Sequence, residues 1–357
     1  SFGFGTVIHV PDEYSTIQSA IDASSDGDMI LVADGIYTGV GNRNLSLLGK
    51  TLTIKSDGGM SNCIIDCEFE DRAFLLNQGE SNASLIQGFT IMNGTPVSSP
   101  TNYGAAIFIE DNSGISIDSC VFENMTVRAI QIGDNETSGP VTNITNSIFT
   151  GCNSAIGSDQ KTVYVENCIF ENNISSGDLC HNGYVSSPSG YYRNCIFRNN
   201  VINENPNPNA TNVIVRLDHG RNVENSLFYN NITSGGIAHF GTQFTSEKSK
   251  IINCILYNNT GLHRGGSHNG EVHSTIVWLG DDAWDLLSGG TVTPYYSDLQ
   301  GGWPGTGYNN IETDPLFVDP SNANFNLQAE SPCLGTGENG LNMGSDVDLL
   351  PWGLMGS

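Results

Sequence analysis

Six of the seven histidines fall between residues 181 and 273, a stretch that also holds Arg216 and Arg264. Imidazole titrates near neutrality and can take and return a proton. A guanidinium is a fixed cation that pairs with carboxylates. Together they suit proton abstraction beside a carboxyl group, which needs a neutralising cation and a base poised near the working pH. Arg216 or Arg264 would be the clamp, and His181, His239 or His263 the base. Asp218, His219 and Trp284 would contact the substrate, and Asp281, Asp282 and Asp285 around Trp284 offer carboxylates for Ca²⁺. A hydrolase would instead need two carboxylic acids at a set separation. Only Asp134 and Asp159, 25 residues apart, suggest such a pair.

Spacing brings these residues together. Arg216 to His239 is 23 residues and His239 to His263 is 24, each about one turn of a repeat. Arg128–Gly133 aligns with Asp178–Gly183 and with Gly236–Gly241; Val215–Gly220 fits with a shift of up to two residues. In a strand, alternation would set Arg216, Asp218 and His239 on one outer face.

The repeat that sets this period is Cys or Ser, then Val, Ile or Leu, then Phe or Leu, followed two residues on by Asn or Gly. It occurs at Ser119–Asn124, Ser147–Gly151, Cys168–Asn173, Cys195–Asn200, Ser226–Asn231 and Cys254–Asn259. The small residue falls at 120, 147, 168, 195, 226, 254 and 274, a period in the twenties with variable insertions, which is the mark of a solenoid. Each phrase reads as a short strand whose Cys/Ser and Phe/Leu point inward, stacking about 4.8 Å from their equivalents one coil away. Asn124, Asn172, Asn199, Asn230 and Asn258 would end the strand, their amides bonding between coils.

The expectation is therefore an all-β chain, a single right-handed parallel β-helix of about ten coils. Tyr14–Ala23, with Ile17, Ala20 and Ile21 on one face, would be an amphipathic helix capping the first coil. Residues 1–50 read as cap and first coil, 51–288 as coils, and 289–357 as an irregular segment that packs on the helix or caps it.

Composition agrees. The 357 residues include 42 glycines but only 14% charged residues, too few for long amphipathic helices. The net charge of −25, from 38 acidic and 13 basic residues, argues against a nucleic-acid partner. No run of apolar residues is long enough to span a membrane. A start at Ser1 without a leader fits a secreted protein after signal removal, extracellular or at the cell surface. Nine cysteines cannot all pair internally; Cys63 with Cys67, or Cys168 with Cys180, would be a local bridge.

Val10–Ile21, followed by Gly27-Asp28 and Gly35-Ile36-Tyr37, resembles the N-terminal cap of secreted pectate-lyase-like β-helix proteins. Asp314–Pro320, Phe325-Asn326-Leu327 and Ser331-Pro332-Cys333 are similar to a C-terminal segment of the same exported proteins. The run from Ser189 through Arg216–Gly220 to His239 is similar to the catalytic region of alginate- and chondroitin-cleaving lyases of this fold. That resemblance implies β-elimination on an acidic polysaccharide, with the catalytic arginine at Arg216 or Arg221. The chain departs from the family where its catalytic lysine would lie, since His181-Asn182 stand there. The family's Ca²⁺-binding acids have no clear match.

One pattern points elsewhere. If Cys168 and Phe170 face inward, the residue between them faces out, and that position reads Val121, Ile148, Ile169, Ile196, Leu227 and Ile255. An exposed apolar stripe marks an interface. Either the chain covers it with residues 289–353, or copies of the protein meet there in a non-catalytic, self-assembling or adhesive cell-surface structure.

Overall fold

The computed structural model describes residues 5–97, 103–110, 112–133, 139–158, 161–182, 190–206, 211–218, 220–241, 248–261, 269–278, 280, 287–288 and 291–354. Two compact units divide the chain, Ser1–Cys168 and Ile169–Ser357. Both are parallel β-helices in which successive coils stack their short strands in register.

In the first unit the chain visits three sheets in rotation. Sheet A runs Val7–Val10, Met29–Val32, Thr53–Ser56, Leu85–Gln87, Ser116–Asp118, Thr142–Thr145 and Val163–Glu166. Sheet B takes Gly35–Tyr37, Cys63–Asp66, Thr90–Met92, Val121–Glu123 and Ile148–Thr150. Sheet C takes Phe74–Leu76, Ile107–Ile109, Arg128–Ile132 and Ser154–Ser158. The helix Ile17–Ala23 is shorter than the pattern suggests. Thr16 caps it by accepting from the Ser19 N–H, and it packs Ile17, Ala20 and Ile21 against the first strands of sheet A. Those strands would otherwise leave core and an edge open to water.

The second unit repeats the plan. Sheet A has Tyr191–Arg193, Asn222–Glu224, Ser249–Ile252, Gly270–His273 and Val292–Tyr295. Sheet B has Ile169–Glu171, Ile196–Arg198, Leu227–Tyr229, Ile255–Tyr257, Ile276–Trp278 and Asp298–Leu299. Sheet C has Cys180–Asn182, Val215–Leu217, Ala238–Phe240 and Leu287–Ser288. The coils thus continue past residue 288, where the sequence suggests an irregular segment.

The interior files are real. Phe170 stacks on Phe197 at 4.6 Å and Phe197 on Phe228 at 4.5 Å, while Phe122 meets Phe149 at 4.8 Å. Cys195, Ser226 and Cys254 form a second buried file in this unit, and Cys120, Ser147 and Cys168 are buried in the first. The file continues at Thr275 rather than Ser274, because Ile255 pairs with Ile276. All nine cysteines are free and buried, so neither local bridge exists. Cys63 and Cys67 stand four residues apart on extended chain, about 13 Å, which a disulfide does not reach. Burial pushes the thiols at 63, 67, 120, 152, 168 and 254 up to about 12, the range of inert core cysteines.

The asparagine expectation holds in part: Asn124 Nδ2 donates to Asn93 Oδ1 and Asn258 Nδ2 to Asn230 Oδ1, each one coil away. These bonds are exposed, however, and the buried ladder belongs to the neighbouring asparagine of each Asn-Asn pair. The first of each pair, Asn172, Asn199, Asn230 and Asn258, takes a left-handed φ of 52–57°. Asparagine tolerates that better than other side chains. The second of each pair makes the buried ladder. Asn173 Nδ2 donates to Asn200 Oδ1, Asn200 Nδ2 to Asn231 Oδ1 and Asn231 Nδ2 to Asn259 Oδ1, each at 2.9 Å. A further left-handed residue precedes the small residue of each phrase, asparagine at 146, 167, 194, 225 and 253 and serine at 119 and 274.

The C-terminal segment lies on sheet B of this unit. Its antiparallel hairpin, Phe317–Asp319 with Asn324–Leu327, sets Phe325 at 5.4 Å from Tyr229 and 5.2 Å from Tyr257. The Gly344 N–H donates to Ser274 O, and the glycine backbone rests against Ile255 and Ile276. A side chain at 344 would strike both. Ile169, Ile196, Leu227 and Ile255 are buried, Ile255 against this segment, so the apolar stripe is not exposed there; Val121 and Ile148 in the first unit remain half-exposed.

Asp298 anchors the same segment from the last coil. Its Oδ1 accepts the Thr313 N–H and its Oδ2 the Cys333 thiol. Burial raises its carboxyl to about 6. Below the ordinary range near 3.8 the folded and unfolded chains are both protonated, and Asp298 is neutral to stability. From there to about 6 only the folded chain keeps the proton, so stability falls as pH rises. The full penalty, at most about 3 kcal/mol, is present above that window. Asp298→Asn, which keeps an oxygen for Thr313, is expected to raise the melting temperature at pH 7 and leave it unchanged at pH 4. A loss at pH 7 would contradict this.

Among the described residues no helix is long and apolar enough to cross a membrane.

Candidate functional site

Sheet C of the second unit positions the residues chosen for chemistry. His181 pairs in register with Arg216, Arg216 with His239, and His239 with Ser288. The alignment left a shift of up to two residues at Val215; the register resolves it by pairing Val215 with Cys180. Val215, Leu217, Ala238 and Phe240 are buried to either side, which fixes which residues of each strand belong to the core. His181, Arg216 and His239 thus occupy one column, about 4.8 Å apart from coil to coil.

Arg216 is 16% exposed and its Nε donates to Asp218 Oδ2 at 3.1 Å. Asp218 was expected on the open face; instead it is buried at 1% exposure, beneath the guanidinium it holds. A carboxylate at this depth aims the arginine's planar fork more firmly than a surface pair would. His239 is 9% exposed, one coil further on. The arrangement offers a braced cation next to an imidazole, the pair that neutralising a carboxylate and moving a proton require.

Gly241 makes the room for Asp218. A Cβ at 241 would lie 1.5 Å from Asp218 Oδ1. Gly241→Ala must therefore displace the buried carboxylate and with it the brace on Arg216. We expect a loss of about 2 kcal/mol in stability. A fall in binding or turnover of about ten-fold is also expected, as positioning residues give when shifted by an ångström. Wild-type behaviour in both melting and affinity assays would refute this role. The sequence hints at it, since glycine closes the aligned blocks at 133, 183 and 241, but nothing in the sequence says what fills the space.

Arg221, the alternative for the catalytic arginine, is buried at 1% exposure beside the buried Tyr192 phenol, so it belongs to the interior. His219, His263, Arg264, Asp281, Asp282, Trp284 and Asp285 lie outside the described residues, as do Asp134 and Asp159. Among the described residues no cluster of three or more His, Cys, Asp or Glu is placed to hold a metal ion.

A second charged cluster escaped the sequence reading. On sheet A, Lys248 and Lys250 both reach Glu271, whose other contact is His273 Nε2; His273 Nδ1 meets Glu338 of the C-terminal segment at 3.0 Å. Burial alone would raise Glu271, but hydrogen bonds from Lys248, Lys250 and His273 bring it down to about 2. His273 also stacks on Tyr295 at 4.8 Å. The i, i+2 spacing of Lys248 with Lys250 and of Glu271 with His273 places each pair on one strand face. That was the available signal.

No protein-family model matches the chain, and no curated protein matches it in sequence. Solved structures do. The chain superposes on the pectate lyase Pel9A with a TM-score of 0.56 at 14% identity, covering 92% of this chain and 90% of that one. XylC, solved in complex with xylose, gives 0.50 at 10% identity over 88% and 87%. The alginate lyase AlyGC of the PL6 family gives 0.46 at 12% identity over 97% and 57%. The first two share the fold of this chain.

Proposed function

We propose that this β-helix, which shares its fold with a protein named a pectate lyase, is carbohydrate-active: it binds an acidic polysaccharide along sheet C of residues 169–357 and cleaves it by β-elimination outside the cell. The observation that carries the reading is Arg216, in register between His181 and His239 and held by buried Asp218. In this reading the guanidinium neutralises the uronate carboxylate, which acidifies the proton on the adjoining ring carbon. An imidazole, His239 by preference with His181 and His263 as the other bases, takes that proton. The released electron pair forms the ring double bond as the glycosidic C–O bond breaks, and the departing oxygen is protonated. Arg264, His219 and Trp284 would hold neighbouring sugars, and Asp281, Asp282 and Asp285 would take Ca²⁺.

Alginate, pectate and chondroitin, each with and without Ca²⁺, test this by the absorbance of the unsaturated product. One polymer is expected to give signal. Silence from all three removes cleavage, and unretarded migration in gels containing them removes binding as well.

A second reading rests on the first unit, where Ile36, Ile64, Thr90, Val121 and Ile148 form one column on the outer side of sheet B. Ile36 is 67% exposed and neighbouring Val40 89%. Here the chain self-associates through that stripe. Light scattering of dilute protein that gives a clean monomer would exclude it.

A further inference from the structure

The C-terminal segment and the coils of the second unit enclose a groove of about 860 Å³ that the proposed polysaccharide site does not use. Its size falls within the range of pockets that hold small ligands. Phe325 and Met343, each 2% exposed, contribute to its lining, with Ile252 and Ile255 of the coils. Leu334, Leu341 and Leu349 also line it and stay 37%, 60% and 57% exposed, so aliphatic surface is presented to solvent around a concave space. Such surface is unusual unless something seats there.

The groove's charge says what kind of ligand. Its one arginine, Arg193, is committed: Nε and Nη2 both donate to Glu224 Oε2, at 2.9 and 2.7 Å, and the guanidinium lies 4.2 Å from the Tyr191 ring centre. Asp346 and Asp348 add two further exposed carboxylates, and among the described residues the lining holds no second cation. A uronate chain, which the column on sheet C would attract, is repelled here. Asn253, Asn326 and Asn342 also line the groove and can serve a peptide backbone as donors and acceptors. We infer that the groove is a second, separate binding site that takes a short basic peptide segment, its aliphatic side chains against the leucines and its cation at Asp346 and Asp348.

The test is calorimetric titration of the full chain at low salt with acetyl-Leu-Leu-Lys-amide, with acetyl-Leu-Leu-Glu-amide, and with maltose as a neutral sugar. The basic peptide should bind at least about ten-fold tighter than the acidic one, and maltose should give no heat. Asp346→Asn combined with Asp348→Asn should erase that preference; asparagine keeps the oxygen that accepts the Asp348 N–H, so the local turn survives. Leu341→Ala combined with Leu349→Ala, both exposed, should weaken the basic peptide about five-fold or more. The leucine variant also separates groove binding from general attraction to a chain of net charge −25, since it leaves the charge untouched. Absence of heat from the basic peptide, equal binding of the acidic one, tighter binding of maltose, or indifference to both double variants each overturns the inference.

Discussion

Asn231→Ala is expected to lower the melting temperature by about 10 °C, corresponding to a loss of about 4 kcal/mol. The side chain is fully buried. Its Nδ2 donates to Asn259 Oδ1 and to Phe197 O, and its Oδ1 accepts from the Asn200 N–H and Asn200 Nδ2. Alanine removes all four bonds while the partners stay out of reach of water. Each orphaned buried group costs about 1–3 kcal/mol, partly recovered by local relaxation. Asn230→Ala is the control. It sits one residue earlier, exposed, with a left-handed φ of 57°, and its Oδ1 accepts one bond from Asn258. Alanine there costs about 1–2 kcal/mol for the backbone conformation. Equal melting losses for the two variants would show that the buried ladder is not what holds this corner of the coils.

Arg216→Ala is expected to reduce turnover of the cleaved polymer by a factor of about 10²–10³, the loss typical when a group that stabilises developing charge is deleted. Arg216→Lys should recover only part, because an ammonium keeps the charge but not the planar fork that Asp218 orients. The measurement is kcat and KM on whichever polymer gives product. Loss confined to KM would assign Arg216 to uniform binding of substrate and transition state; loss in kcat assigns it to the chemical step. Activity within a few-fold of wild type in Arg216→Ala would move the chemistry elsewhere.

The coils were legible because their interior is repetitive. Small residues at 120, 147, 168, 195, 226 and 254, with Phe two places on in the first five and Leu256 in the last, are what a narrow core with stacked files demands, and the structure places them there. What failed was resolution at the scale of one or two residues. Either member of an Asn-Asn pair satisfies the pattern, and only backbone geometry gives the left-handed role to Asn230 and the ladder to Asn231. Ser274 and Thr275 are both small and hydroxylic, so the file slipped by one until pairing of Ile255 with Ile276 settled it. The last coil hid because its phrase reads Ser297-Asp298-Leu299, with a carboxylate where the earlier coils carry Val, Ile or Leu. At the candidate site, period and alternation brought Arg216 and His239 together, but alternation describes faces, not depth. Asp218 sits on the outer side of its strand and is nonetheless buried.

The amide ladder has a sense of direction. Between asparagines, every Nδ2 from Asn173 to Asn231 donates toward the later coil, and every Oδ1 from Asn200 to Asn259 accepts from the earlier one. Asn200, Asn231 and Asn259 each also donate back to a phenylalanine carbonyl. A copied coil bearing asparagine at this place could therefore be spliced between any two of these rungs and find a giver on one side and a taker on the other. A coil laid in backwards could not. The molecule can lengthen by duplication, but only along the grain.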